Sequence, residues 1–179
     1  LSSLAGALMA LVTNFAPNPF YLSDMITWML GSVANRSLLD IALVLPFMLA
    51  GLLLLLSQRK GLTLLSLGED TASTLGLSLT TTRICVVLGA GLATGAAVSL
   101  AGVIGFVGIV TPHLVRPLVN YEPGKTIIPS AVLGGVFLVL IDIGVRIIST
   151  NVELKIGVLA ALVGAPIFIW IASKSGRHE

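Results

Sequence analysis

The stretch Ile84–Val119, ICVVLGAGLATGAAVSLAGVIGFVGIVTPHLVRPLV, runs 36 residues and carries no charged side chain before Arg116. One helix crosses the hydrocarbon of a bilayer in about 20 residues. The stretch is too long for one crossing and suits two that are tightly joined. The joint is expected at Ala101-Gly102-Val103-Ile104-Gly105, where glycine permits a sharp turn. Gly91 and Gly95 form a GxxxG pair on the first crossing, a spacing that lets another helix approach closely. Pro117 is expected to end or kink the second crossing early.

The rest of the chain is equally oily. Apolar residues make up 56% of it and charged residues 10%, and its mean hydropathy is +1.06. A soluble domain carries roughly a quarter charged residues. The protein therefore works inside a membrane, and its few polar residues hold most of the functional information.

N-terminal to the deciding stretch, Leu1–Phe15 is apolar, with small residues at Ser2, Gly6 and Ala10, and Pro17 and Pro19 end it. The chain opens without methionine, basic leader or cleavage site, so it reads as a helix already under way in a longer membrane protein, not as a signal peptide. Tyr21–Asn35, with Asp24, Met25 and Trp28, reads as a short interfacial helix. A Leu-dense crossing follows at about Leu38–Ser57, with Asp40 near its start, and ends at Gln58-Arg59-Lys60. Gly61–Arg83, GLTLLSLGEDTASTLGLSLTTTR, is the one substantial polar stretch. There Ser66 and Glu69 have capping-box spacing, and Gly76 can end the helix they start. C-terminal to the deciding stretch, the break Asn120–Thr126 leads to a crossing at about Ile127–Ile148, with Asp142 and Arg146 near its end. The loop Ser149–Lys155 leads to a last crossing, about Ile156–Ser173, with Gly157, Ala161 and Gly164 on one small-residue face.

Cation placement orients the chain. With the polar stretch in the cytoplasm, that side holds Arg59, Lys60, Arg83, Arg116, Lys125, Lys174 and Arg177, against Arg36, Arg146 and Lys155 opposite. Six crossings result, the first incomplete, with a cytoplasmic C-terminus.

Several functions are excluded or disfavoured. The net charge of +2 is weak and scattered, which argues against nucleic-acid binding. Cys85 is alone in an apolar run and reads as a small hydrophobe. His113 and His178 lie far apart, and no metal site is expected. The chain has no GxxxxGK[ST] loop, no HExxH and no GxSxG, so P-loop ATP binding and intramembrane proteolysis are not expected, nor are catalytic residues. Its acids lie near the ends of crossings, which counts against the alternative of a secondary transporter or ion channel subunit without an ATPase partner.

Four ordered blocks, LGEDTASTLGL, TGAAVSLAGVIGFVGIVTPHLVRPLV, IPSAVLGGVFLVLIDIGVR and ELKIGVLAALVGAPIFIW, span nearly the whole chain. Together they resemble the permease subunits of ABC importers for ferric siderophores, haem and vitamin B12, the FecCD-type permeases. The resemblance implies an all-α integral membrane protein of the type II importer fold, with about six of an expected ten transmembrane helices present. Residues 1–179 would form one transmembrane permease domain, N-terminally incomplete, in the cytoplasmic membrane. Residues 61–83 are then similar to the cytoplasmic coupling loop that docks on the ATP-binding subunit, with Gly68, Glu69, Ala72, Leu75 and Gly76 matching it most closely. Arg146 matches a position that pairs with a glutamate of the periplasmic or lipid-anchored substrate-binding protein, and Asp142 could hold it from one turn away.

Leu1–Asn14 and Ile156–Ser173 resemble pathway-lining helices, making Ser2, Ser3, Thr13, Asn14, Gly157, Ala161 and Gly164 the lining candidates. His113, in the family's Pro-His pattern, is expected to satisfy a backbone carbonyl rather than to bind metal. Lys155 stands where the family usually has proline, and with Glu153 is expected in a solvated outward loop. The implied partners are an ABC ATPase, the binding protein, a second permease copy or paralogue (a homodimer in the first case) and membrane lipid. ATP and magnesium would be used by the ATPase, with no cofactor on this chain.

Overall fold

A computed structural model describes residues 2–15, 18–34, 36–148 and 154–175. Among them the order is α1 (Ser2–Asn14), α2 (Pro19–Leu30), α3 (Leu38–Ser57), α4 (Arg59–Leu65), α5 (Glu69–Thr74), α6 (Leu79–Ala101), α7 (Val107–Val115), a 3-10 turn (Arg116–Val119), α8 (Pro123–Ile148) and α9 (Ile156–Ser175). In length and composition α3, α6 and α8 can each cross a membrane, while α7 with its 3-10 turn and α9 are shorter apolar helices. With the 13-residue α1, these helices occupy the six crossings that the sequence predicts, and among the described residues three of them are long and apolar enough to span a membrane.

Local chemistry sets the helix starts. The Asn18 side chain accepts from the Phe20 N–H (3.1 Å), and Pro19 opens α2 with its φ already helical. Pro19 therefore starts a helix as well as following one. A true capping box stands at Ser37 and Asp40, where each backbone N–H donates to the other's side-chain oxygen (2.9 and 3.2 Å). It begins α3 and gives Asp40 a local role that its interfacial position alone does not suggest.

Packing follows close approach, because lipid offers no hydrophobic drive between helices. α3 and α6 pack along their length. A Cβ on Gly51 would lie 2.6 Å from both the Gly89 carbonyl oxygen and the Ala93 nitrogen, so those helices touch backbone to backbone. The expected GxxxG pair is not the one used: Cβ atoms at Gly91 and Gly95 would meet open space. α8 and α9 form a second cluster around Ile141, Ile156 and Ala160, joined by Ile104, and α7 packs against both helices. Most other apolar side chains of the spans point outward, as they should against lipid or further protein.

The joint after α6 lies where the sequence places it. α6 stops at Ala101, and Gly102 takes φ +72. The C-terminal end of α2 docks onto this break: the Ser32 N–H bonds the Ala101 carbonyl (2.7 Å), and the Val103 N–H bonds the Trp28 carbonyl (3.0 Å). The second crossing departs from a plain helix. Residues 102–106 are non-helical, α7 spans about 14 Å at 1.5 Å per residue, and the 3-10 turn at Pro117 adds about 8 Å. Non-helical entry, helix and 3-10 turn together carry the chain from the Gly102 end of the bundle to the opposite end, where Gly124 meets α4.

The bundle thus has two ends. At one lie α4, α5, the starts of α6 and α8, and with them Arg59, Lys60, Arg83 and Lys125. At the other lie Gly31, Gly102, the start of α9 at Lys155, and the last turn of α8 with Arg146. These six cations fall at the ends that the sequence predicts, while Arg177 and the Lys174 side chain lie outside the described residues.

Candidate coupling helix and docking face

The polar stretch folds as two short helices. α4 follows α3 directly, and Ser66 is its C-cap, with the Ser66 hydroxyl donating back to the Thr63 carbonyl (2.6 Å). The expected capping box at Ser66 and Glu69 therefore does not form. Gly68 precedes α5 instead, at φ +101, a conformation that a side chain disfavours. At the far end the expectation holds. Gly76 takes φ +85, its N–H bonds the Ser73 carbonyl (2.9 Å), and the Leu77 N–H bonds the Ala72 carbonyl (3.0 Å). This pair of hydrogen bonds is a Schellman motif, and it closes α5 after six residues.

Two side chains fix where α5 points. Ala72 is fully buried, so it seats the helix on the bundle and does not face outward with its neighbours. Glu69, in the first turn, pairs with Arg83 on α6. Both partners are more than half exposed, so the pair adds under about 1 kcal/mol and orients α5 more than it stabilises it. Arg83 was not among the sequence candidates, because its partner lies 14 residues away and no helical spacing links them. The outward surface consists of Glu69, Asp70, Thr71, Ser73 and Thr74, flanked by Leu67 and Leu75, the two leucines each about 60% exposed. Two large apolar side chains held up at the ends of a rigid, acidic six-residue helix are suited to seat in a partner's groove.

At the opposite end the Arg146 Nε donates to Asp142 Oδ2 (2.8 Å) one turn earlier. The Arg146 side chain stays about 70% exposed, so Asp142 steadies it through Nε while its other guanidinium donors remain accessible.

The lining candidates divide. α1 has Thr13, whose hydroxyl donates to the Met9 carbonyl (2.7 Å), and exposed Ser3 and Asn14, while the Ser2 side chain lies outside the described residues. On α9, Gly157 and Gly164 serve internal packing: a Cβ on Gly157 would overlap the Leu30 carbonyl oxygen, and one on Gly164 would lie 2.5 Å from Phe106 Cβ. Gly157 also lines, with Ala161, an apolar cleft of about 670 Å³ beside Met29, Leu30, Phe106 and Leu162.

The His113 ring lies tilted against Phe168 (centroids 6.4 Å apart), which ties α7 to α9. No group of three or more His, Cys, Asp or Glu side chains gathers among the described residues. Cys85 is half-buried on α6. Lys155 is half-buried at the start of α9, and Glu153 lies outside the described residues.

Comparison with known proteins gives a consistent result. A model of the FecCD transport family matches residues 1–174. The chain is 37% identical over 98% of its length to 49% of an uncharacterised ABC transporter permease, YvrB, of Bacillus subtilis (strain 168). It is 36% identical over 87% of its length to 47% of FeuB, an iron-uptake system permease of the same organism. It is also 36% identical over 99% of its length to 54% of the vitamin B12 import permease BtuC of Salmonella typhi. Among solved structures, an inward-facing ABC transporter of metal-chelate type matches with a TM-score of 0.90 and 31% identity, over 97% of this chain and 56% of that one. The chain spans about half the length of the curated relatives it matches.

Proposed function

The chain belongs to the FecCD transport family, and from that premise we propose that it forms part of the permease subunit of an ABC importer. The cargo would be an iron chelate (a ferric siderophore or haem) or cobalamin, carried across the cytoplasmic membrane by alternating access. The permeases for iron uptake and for vitamin B12 among its relatives support that range. The cytoplasmic side would be the α4–α5 end, where the cations concentrate, with α9 running toward it and a cytoplasmic C-terminus following from that orientation.

The observation that carries this reading is the construction of α5. Gly68 and the Schellman turn at Gly76 define its ends, Ala72 and the Glu69–Arg83 pair fix its seat, and Leu67 and Leu75 face outward. Such a unit can be pushed as one body. A separate ATPase closes on ATP, presses this helix and tilts the spans; hydrolysis releases them. At the other end, Arg146 engages an acidic group of the substrate-binding protein. A second permease copy or paralogue completes the pathway. The largely apolar wall of the cleft on α9 suits a bulky chelate, since it offers few hydrogen bonds that would trap it.

The test is ATP-dependent uptake by the intact permease reconstituted with its ATPase and binding protein. Uptake that needs both partners supports the reading. Uptake driven by an ion gradient without ATP contradicts it.

A further inference from the structure

α4 is held by glycine contacts on both flanks. A Cβ on Gly61 would lie 3.1 Å from Thr82 Cγ2 and 3.2 Å from Leu77 Cδ1, at the start of α6. A Cβ on Gly124, in the first turn of α8, would overlap the Arg59 carbonyl oxygen and lie 2.7 Å from Thr63 Oγ1. No side chain fits at position 124 unless α4 moves off α8. Thr63 closes the contact. Its hydroxyl donates to the Arg59 carbonyl (3.2 Å) and accepts from the Gly124 N–H (3.3 Å). That N–H is among the first four of the helix, which have no partner inside it, so the contact satisfies a group that α8 cannot satisfy alone.

α8 then runs the full depth of the bundle. Gly124 and Arg146 are 22 residues apart, about 33 Å at 1.5 Å per residue. One helix thus carries the α4 contact on its first turn and the Asp142–Arg146 pair on its last. α4 leads directly into α5 through Leu67 and Gly68.

We propose that the Thr63–Gly124 contact is the joint that passes motion of α5 to the membrane-spanning part, with α4 and α8 moving as one body. Thr63 and Gly124 are positioning residues: they act by holding two helices at backbone distance. This rests on the reading of α5 as the helix that an ATPase presses.

The test uses the intact permease with its ATPase in lipid, carrying Cys85→Ala and a bimane fluorophore on Ile147→Cys, an exposed position at the far end of α8. Emission is compared with and without ATP and vanadate. In this parent the emission changes with nucleotide. In Gly124→Ala and Thr63→Val the ATPase co-purifies and hydrolyses ATP within about twofold of the parent, while the emission change falls about tenfold, the size of effect a coupling position can have. Thr63→Ser, which keeps the hydroxyl, retains the change. Where Gly124→Ala fails to assemble, Thr63→Val decides, since it keeps the shape and loses both bonds. A full emission change in Thr63→Val overturns the proposal, and so does a parent that hydrolyses ATP with no change at position 147. A parent that binds no ATPase at all overturns the functional reading instead.

Discussion

The two ends of the bundle are held by different means. At the Gly31–Gly102 end, backbone meets backbone. Ser32 and Val103 N–H groups bond the carbonyls of Ala101 and Trp28, and Gly31, Gly102 and Gly157 let main chains approach where any side chain would collide. At the α4–α5 end a single close backbone approach, Gly124 on the Arg59 carbonyl, is supplemented by side chains: Thr63 on Gly124, Thr82 on Gly61, Ala72 beneath α5, and Glu69 on Arg83. Backbone contacts offer few alternative arrangements. Side-chain contacts can break and re-form within a rotamer change. Under the proposed function the first end is the fixed point, and the second is the place where the ATPase's push is taken up and passed on.

The fixed end gives the largest expected effect. Gly157→Val puts a branched side chain against the Leu30 carbonyl, and overpacking of this kind costs at least about 1–3 kcal/mol. Membrane levels of folded permease should fall severalfold, read by fluorescence size-exclusion of the solubilised protein. Parental levels would show that this end is not locked by backbone contact.

Next comes the movable end. Glu69→Arg sets two cations side by side on α5 and α6 and turns the short helix off its seat. Insertion should be unchanged, while co-purification of the ATPase falls about tenfold, the equivalent of about 1.4 kcal/mol. Adding Arg83→Glu restores the ion pair and should recover most of the loss. No recovery would mean that Glu69 itself contacts the ATPase.

A smaller effect is expected at the exposed tip of α8. Arg146→Glu should lower affinity for the binding protein by three- to tenfold, about 0.7–1.4 kcal/mol, with a steeper salt dependence in the parent than in the variant. Equal affinities would remove Arg146 from the docking face.

The smallest effect belongs to α6. Gly91→Ala adds a methyl into open space and should change thermal stability by under about 0.5 kcal/mol, whereas Gly51→Ala meets backbone and should cost about 1–3 kcal/mol. A large loss at Gly91 would show that another segment covers that face.

The sequence foretold features that depend on neighbours along the chain. The break at Gly102, the end of α5 at Gly76 and the early stop at Pro117 all follow from local residue chemistry. It misled where the same local signal had two uses. Ser66 has capping-box spacing, yet α4 ends on it, and its hydroxyl bonds back to Thr63. The box that does form, Ser37 with Asp40, has the same spacing, but the described residues between Leu30 and Ser37 are non-helical, so Ser37 is free to start a helix rather than end one. Gly91 and Gly95 share a face of α6, but close approach needs a partner helix, and α3 meets Gly89 instead. The partners of Glu69 and Gly124 lie 14 and 61 residues away, so only the folded chain reveals them.

The most direct test of the central claim is cross-linking from α5. In a Cys85→Ala background, Leu75→Cys should form a cross-link to the nucleotide-hydrolysing subunit in the intact complex, and ATP should change its yield. Labelling of Leu75→Cys in whole cells by a membrane-impermeant maleimide, with no cross-link to any ATPase, would contradict it.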